Sequence, residues 1–195
     1  MSQVVHIPMF PLALLPLPGE MVPLHVFEPR YKQLLQDAEI NDMQFGIYFS
    51  HVCNGQKIGS LMKLESVIKR YPGGEADIIV KCEDIFSMTR LSRTFTAKLY
   101  PGGDVRFWKL QQNVLAGREF NDLFLEYLKQ RNINRQKVQF NIYQMANELN
   151  LDVTDRYKFL VIAEDKRECF LFNRLKFQMH IMEREEKSKD NYYLN

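Results

Sequence analysis

The stretch "VVHIPMFPLALLPLPGEMVPLHVFEPRYKQLL", residues 4–35, decides how the chain folds. Its first half, residues 4–19, carries no Asp, Glu, Lys or Arg, yet it contains four prolines. A membrane helix needs about 20 continuous apolar residues, and prolines at this density remove too many backbone donors. A secretory signal begins with a basic segment, whereas the first basic residue here is Arg30. We therefore predict short apolar strands, with a turn at Pro18-Gly19 and no membrane segment.

The composition is that of a globular protein. Of 195 residues, 46% are hydrophobic and 26% are charged, and the net charge is +2. So small an excess of basic residues does not indicate a phosphate-driven nucleic-acid binder. The cysteines Cys53, Cys82 and Cys169 are odd in number and far apart, which is typical of reduced thiols in a cytoplasmic protein.

Residues 1–112 carry strand signals. In "EADIIVK" (75–81), Ala76, Ile78 and Val80 alternate with their neighbours, a period of two that predicts a strand with one face on the core. The same period predicts a strand over 57–69, whose core-facing residues would be Ile58, Met62, Leu64 and Ile68. Shorter strands are predicted at 45–49, 94–100 and 105–110. One helix is predicted over 29–40, because Pro29 suits the first helical position.

Three short segments predict tight reversals between antiparallel strands. They are "YPGGE" (71–75), "YPGGD" (100–104) and "CNGQ" (53–56). In the first two, Pro would fix φ at the second turn position and Gly would supply a positive φ at the third. The third is an Asn-Gly turn of the hairpin type. Reversals at this spacing indicate a closed or nearly closed antiparallel sheet.

Residues 113–195 change to a helical period. Four helices are predicted, and the last begins at Asp165 with Glu168 as its capping-box partner. This last helix is apolar over more than one face, so it should bury against two neighbours or a partner. The mixed-charge segment 183–195 is predicted to be a frayed or disordered tail. The apolar positions of the first three helices are Phe120, Leu123, Phe124, Tyr127 and Leu128; Val138, Ile142, Met145, Ala146 and Leu149; and Tyr157, Leu160 and Val161.

No motif predicts catalysis, a metal or a cofactor. The four histidines, at 6, 25, 51 and 180, lack metal-ligand spacing, and the chain has neither a P-loop nor a nucleophile elbow. Cys53 could be an exposed thiol, but no base is marked for it in the sequence. Residues 143–160 have the outline of a helix-turn-helix. Their Arg156 and Lys158 stand among acidic residues, however, so we favour a plain helical hairpin.

The segment "IPMFPLALLPLPGEMVPLHVFEPRYKQLLQDA" (7–38) resembles the amino-terminal substrate-binding domain of the Lon ATP-dependent proteases. The segment 58–86 resembles the strand–turn–strand block of that family, and 155–185 is similar in position to the helices that follow. The chain departs from the family where a Gly and an Arg commonly precede an aromatic residue, since residues 82–86 read "CEDIF". The family motif falls on Pro16, Gly19, Pro23, Phe27, Glu28, Arg30 and Tyr31.

The resemblance implies an α+β fold, with a PUA-like antiparallel β pseudo-barrel that holds one inserted helix and is followed by a helical subdomain. It also implies a non-catalytic module for unfolded or client polypeptides, which would bind in a groove between the β part and the helices. Glu28 and Arg30 would organise the strand-to-helix corner. The alternative is an RNA-binding protein that uses the PUA-like barrel, and an unrecognised hydrolase is a third hypothesis.

Overall fold

The computed structural model describes residues 3–134 and 138–192, with side chains through Glu185. The first part of the chain forms strands with one helix between the second and third, and helices follow, a mixed α+β order as the sequence predicts. No helix in this described part is long and apolar enough to cross a membrane. The elements are β1 (Val5–Leu12), β2 (Met21–Val26), α1 (Pro29–Asn41), β3 (Phe45–Phe49), β4 (Ile58–Arg70), β5 (Ala76–Ser92), β6 (Gly102–Phe107), α2 (Arg118–Gln130), α3 (Ile142–Glu148), α4 (Val153–Val161) and α5 (Glu164–Tyr192).

Contacts divide the chain into two compact units. The first, which we call the β unit, comprises residues 1–111 together with Asp152–Tyr157. The second, the helical unit, comprises Gln112–Leu151 and Lys158–Asn195. The sequence predicts a division between residues 112 and 113. The contacts additionally place Asp152–Tyr157, which contains the first residues of α4, in the β unit.

The sheet closes on itself. Its strand order is β2-β5-β4-β3-β1-β6, and an additional pairing joins β6 back to β5. Five strands thus pair in a circuit, and β2 lies outside it as an edge strand on β5. Pro23, which has no N–H, lies in the middle of β2, and an edge strand is where a sheet tolerates proline.

The long strand β5 makes this closure possible. Its first half pairs with β2, its later part pairs with β6, and β4 runs along most of its length. Register shifts at Leu61/Met62, Leu64/Ser66 and Val67/Lys69 bend β4, since a bulge kinks a strand and increases its twist. Because of these bulges the alternation predicted for β4 does not continue to its end. Ile58 and Met62 are buried as predicted, whereas Ile68, also predicted to face the core, is 62% exposed.

The core of the circuit is built around the ring of Phe86. A Cβ added at Gly59 would lie 2.4 Å from that ring, and one added at Gly46 would lie 2.8 Å from it. Both glycines are therefore required by close approach rather than by a turn. Phe86 is fully buried in a cluster with Ile7, Met9, Leu61, Met88 and Val105.

Two sequence expectations about the sheet are wrong. The pair β1–β3 is parallel, so the sheet is not purely antiparallel; β2 and α1 form the crossover that a parallel pair needs. The segment 94–100 is a loop rather than a strand. Thr96 and Ala97 adopt positive φ there, and Leu99 is 63% exposed, so the apolar alternation faces no core.

The predicted reversals differ in outcome. The turn at 71–75 does join antiparallel β4 and β5, with Tyr71 N–H donating to the Glu75 carbonyl at 2.9 Å, but Gly74 rather than Gly73 has the positive φ. The predicted turn at 100–104 is wrong, because Gly102 and Gly103 are strand residues of β6 that pair with β1. The Asn-Gly segment lies in the loop between antiparallel β3 and β4, where Lys57 rather than Gly55 has the positive φ.

The helical unit confirms the predicted helices with changed ends. Val138, predicted as the first apolar position of the second helix, precedes α3 and is 74% exposed. Helix α3 begins at Ile142, after a capping box formed by Asn141 and Gln144. Helix α5 begins at Glu164, and its Glu168 does not act as the predicted capping partner. The Glu168 carboxylate accepts the Gly117 N–H at 3.1 Å, at the start of α2, where a negative charge is favoured.

Helix α5 buries one face, with Leu171, Leu175 and Met179 in the core. The helix packs against two neighbours, α2 and α3, as the sequence predicts. Phe177, 58% exposed, and Ile181, 39% exposed, lie outside the buried face. The helix is described through Tyr192, so the predicted charged tail 183–195 begins within it. Residues 193–195 lie outside the described residues.

Candidate functional site

The motif residues of the opening stretch lie on the connection from β1 through β2 to α1. Gly19 has φ +81°, and its N–H donates to the Cys82 carbonyl at 2.8 Å, so this glycine makes the turn into β2. The Pro16 carbonyl accepts from the Ser60 hydroxyl at 2.7 Å and from the Cys82 thiol at 3.4 Å. The apolar connection is thereby fastened to β4 and β5.

The strand-to-helix corner is held by contacts among its own residues. Arg30 Nε donates to Glu28 Oε2 at 2.9 Å, and the Arg30 guanidinium lies 4.6 Å from the centre of the Tyr31 ring. Tyr31 is buried and stacks on Phe10 at 3.9 Å. Burial is the main cause that raises the pKa of Tyr31. The proposed role of Glu28 and Arg30 in organising this corner agrees with these contacts and stays a prediction.

Phe27 is placed differently from the other aromatic motif residue, since it is 59% exposed. Its ring stacks on His25 at 5.9 Å, and His25 Nδ1 lies 2.6 Å from Asp77 Oδ1. Tyr71 donates to the other Asp77 oxygen at 2.7 Å. The hydrogen bonds from His25 and Tyr71 lower the pKa of Asp77. His25 belongs to this surface network on β2 and β5, which the sequence did not reveal.

The charges on this face are interspersed. Lys32 Nζ lies 2.8 Å from Glu75 Oε1, and Arg30 Nη2 lies 2.8 Å from Glu28 Oε2. A surface that binds RNA electrostatically presents basic residues in a concentrated patch. The neutralised cations beside Phe27 do not form one.

A pocket opens beside the first part of the motif, entirely within the β unit. Its volume is about 260 Å³. We call it the Glu20–Arg156 pocket, after its two charged residues. Its other residues are apolar and come from the β1–β2 connection, β2 and the first turn of α4. The lining consists of Ala13, Leu14, Leu15, Pro16, Glu20, Val22, Val153 and Arg156.

The two charges of the pocket neutralise each other. Arg156 Nη1 lies 2.5 Å from Glu20 Oε2, and the two side chains are only 15% and 20% exposed. The same Glu20 oxygen accepts the Leu17 N–H at 2.9 Å, which holds the carboxylate in place. Because the pair is internal, the pocket offers an apolar surface without net charge, suited to an uncharged apolar group.

Sequence reasoning missed both charged residues of the pocket. Glu20 directly follows the turn predicted at Pro18-Gly19. The sequence offers Arg156 as a DNA contact in a helix-turn-helix, whereas its guanidinium is engaged by Glu20. A lone acidic residue in an apolar segment was the available signal, since a buried charge requires a partner.

The described residues bring no three His, Cys, Asp or Glu side chains into positions that could hold a metal ion. Two of the four histidines make similar cross-strand pairs. His6 Nδ1 lies 2.6 Å from Asp104 Oδ1, as His25 does from Asp77. His51 lies in the β3–β4 loop beside Cys53, and His180 lies on α5.

The sequence of the chain matches the model of a known protein family. The family model described as "ATP-dependent protease La (LON) substrate-binding domain" matches residues 6–155, which contain the whole motif and every residue that lines the pocket except Arg156. No curated protein sequence matches the chain.

Solved structures similar to this chain include two Lon N-terminal domains. One is a Lon N-terminal domain protein from Xanthomonas campestris, with a TM-score of 0.64 and 20% identity, covering 90% of this chain and 98% of that one. The other is the N-terminal domain of a Mycobacterium avium complex Lon protease, with a TM-score of 0.53 and 16% identity, covering 92% of this chain and 98% of that one. At these identities the likeness shows the fold.

Proposed function

The chain belongs to the LON substrate-binding domain family, and we propose that it is a non-catalytic module that binds apolar segments of unfolded polypeptides at the Glu20–Arg156 pocket. The observation that carries this proposal is the pocket itself, with apolar walls and an internally neutralised ion pair. Small-molecule sites occupy roughly 300–1,000 Å³. A cavity of about 260 Å³ is better matched to one large apolar side chain of a bound chain.

One side chain in the pocket does not supply a useful affinity. Full burial of a Leu or Phe side chain contributes about 1.5–3 kcal/mol, whereas a micromolar Kd requires about 8 kcal/mol. Further contacts are therefore needed along the bound segment. Leu14, 40% exposed, lines the pocket, and its neighbour Ala13, also a lining residue, is exposed too. These side chains extend the apolar surface beyond the pocket.

The pocket supports binding rather than chemistry. Among its described lining residues none is Ser, Thr, Cys, His or Lys. Its one carboxylate, Glu20, is engaged by Arg156 and by the Leu17 N–H. Ser60 and Cys82, which donate to the carbonyl of the lining residue Pro16, are fully buried. Burial raises the pKa of the Cys82 thiol, which keeps it protonated. We do not propose the RNA-binding alternative, because no observation favours it.

A binding measurement with matched clients tests the proposal. Fluorescently labelled α-lactalbumin, reduced and carboxymethylated so that it stays unfolded, is titrated with the full chain and followed by anisotropy. We expect saturable binding of the unfolded form with a Kd of roughly 1–100 µM, and none of the native, disulfide-intact form. Equal binding of both forms, or no binding of the unfolded form, would contradict the proposal.

A further inference from the structure

The β3–β4 loop, residues 50–57, is a built loop rather than a loose connection. Asn54, a residue of this loop, is buried, with 8% of its surface exposed. Asn54 Nδ2 donates to the carbonyls of Phe49 at 2.7 Å and Ile58 at 2.9 Å, and its Oδ1 accepts the Ile58 N–H at 2.9 Å. These bonds clamp the two ends of the loop, so side chains between them are held in defined positions.

Within this loop a thiol meets an imidazole. Cys53 Sγ lies 3.0 Å from His51 Nδ1, and the Cys53 backbone N–H also points to that nitrogen at 3.3 Å. Two donors converge on Nδ1, so in the neutral ring Nδ1 is the acceptor and the ring proton resides on Nε2. The His51 ring stacks flat on the buried Phe49 ring, with centroids 5.2 Å apart and planes within 5°. The base is therefore oriented by a third residue, as nucleophile–base pairs require.

We propose that Cys53 is a reactive thiol, activated by His51, and that it is a site of modification by small electrophiles and low-molecular-weight disulfides. The flanking Val52 side chain is 99% exposed and Cys53 itself is partly exposed, so a small reagent can approach. This site does not depend on the function proposed for the Glu20–Arg156 pocket.

Among the described residues, the other two cysteines lack the combination of exposure and a neighbouring base that Cys53 has. Cys82 is fully buried and its pKa is raised by burial. Cys169 is exposed on α5, where the Asn173 Nδ2 lies 3.7 Å from its sulfur. An amide cannot take the thiol proton. Cys53 combines access with a base in contact, so reactivity should separate the three thiols in one molecule.

The modification with a disulfide is a balanced exchange. His51 Nδ1 takes the thiol proton, and the Cys53 thiolate attacks one sulfur of a small disulfide such as oxidised glutathione. A new S–S bond forms to Cys53 and the original S–S bond breaks. The departing thiolate takes the proton that His51 held, which returns the imidazole to its neutral form.

Competitive labelling of the full chain tests this inference. The native protein is treated with limiting iodoacetamide between pH 5.5 and 8.5, and each cysteine peptide is quantified by mass spectrometry. At pH 6.5 we expect Cys53 to react about fivefold or more faster than Cys169, because His51 Nδ1, 3.0 Å from the Cys53 sulfur, can take the thiol proton as the sulfur attacks. With oxidised glutathione, the mixed disulfide should form first on Cys53. Cys82 reports folding, since it labels only when the chain unfolds.

The variant His51→Phe keeps a ring to stack on Phe49 but removes the base. We expect the rate at Cys53 to fall to about that of Cys169 at pH 6.5, while Cys82 stays unlabelled. His180→Phe, on α5, is the matched control and should leave the Cys53 rate unchanged. The inference is overturned if Cys53 reacts no faster than Cys169 in the wild-type chain, or if His51→Phe leaves its advantage intact while Cys82 remains protected.

Discussion

The Tyr100 hydroxyl donates a hydrogen bond to Asp37 Oδ2 at 2.7 Å, although the two residues are 63 positions apart. Lys98 Nζ lies 3.0 Å from the other carboxylate oxygen, so one aspartate on α1 fastens the 94–100 loop. Burial acts to raise the pKa of Asp37, but the hydrogen bonds from Tyr100 and Lys98 outweigh it, and the pKa is lowered. Burial raises the pKa of Tyr100, which stays the donor.

This carboxylate should make stability depend on pH in the acid range. A lowered pKa in the folded state contributes stability that is complete above the unfolded value, about 4, and is lost as the pH falls through the folded value. We expect Asp37→Asn to reduce the free energy of unfolding by about 1–3 kcal/mol at pH 7. Urea unfolding should show this deficit shrinking below about pH 4. Asp122→Asn, at an exposed pair on α2, should cost less than about 0.5 kcal/mol throughout. A deficit independent of pH would contradict this account.

The glycines under Phe86 predict a steep cost for one methyl group. In Gly59→Ala the new Cβ would lie 2.4 Å from the Phe86 ring and 2.5 Å from the Ile47 carbonyl oxygen, which is backbone and cannot swing away. We expect a loss of roughly 2–3 kcal/mol in thermal or urea unfolding. Gly55→Ala is the control, because its Cβ would meet only the Tyr157 hydroxyl at 3.9 Å. Equal stability of the two variants would show that the circuit is looser than described.

The Glu20–Arg156 pair should be coupled in a double-mutant cycle. Removing one partner leaves the other charge largely buried, so Glu20→Gln or Arg156→Gln alone should cost about 1–3 kcal/mol of stability. The double variant should cost at least about 1 kcal/mol less than the sum of the two. The exposed pair Arg118–Asp122, measured in the same way, should give a coupling below about 0.5 kcal/mol. Additive losses at Glu20 and Arg156 would count against a neutralised pocket.

Binding of unfolded polypeptide should respond to charge at the pocket mouth. Leu14→Glu introduces a carboxylate where an apolar segment is expected to pack, and we predict a Kd about tenfold weaker, equivalent to about 1.4 kcal/mol. The control is Ile40→Glu, on α1, because Ile40 is also an exposed apolar residue, at 71%. It should leave the Kd within about twofold. If both variants weaken binding equally, the client contacts a general apolar surface and not this pocket.

Local patterns in the sequence predicted much of this fold. Apolar alternation located β4 and β5, and Pro29 located the start of α1. The same rule failed where tertiary pairing overrides local pattern. The bulges of β4 turn Ile68 outward, and Gly102 and Gly103 serve close packing in β6 rather than a turn. A window of a few residues carries no information about which strand will pass beside it.

The candidate site was less accessible to prediction than the fold. Glu20 and Arg156 are 136 residues apart, and their ion pair forms only because the start of α4 belongs to the β unit. Likewise, His51 and Cys53 are two residues apart in the sequence, yet the clamp by Asn54 and the stacking on Phe49 decide that they meet. Both arrangements depend on packing that composition and spacing do not encode.

Pro23 has a consequence for a protein that is proposed to hold unfolded chains. The free edge of a sheet can template the addition of another extended segment, and growth of that kind ends in aggregates. A proline in the middle of the edge strand β2 removes one donor from any such ladder. Side-chain contacts at the neighbouring pocket remain available, while extension of the sheet by a client is interrupted. If the chain binds unfolded clients as proposed, Pro23 would keep β2 from seeding their aggregation.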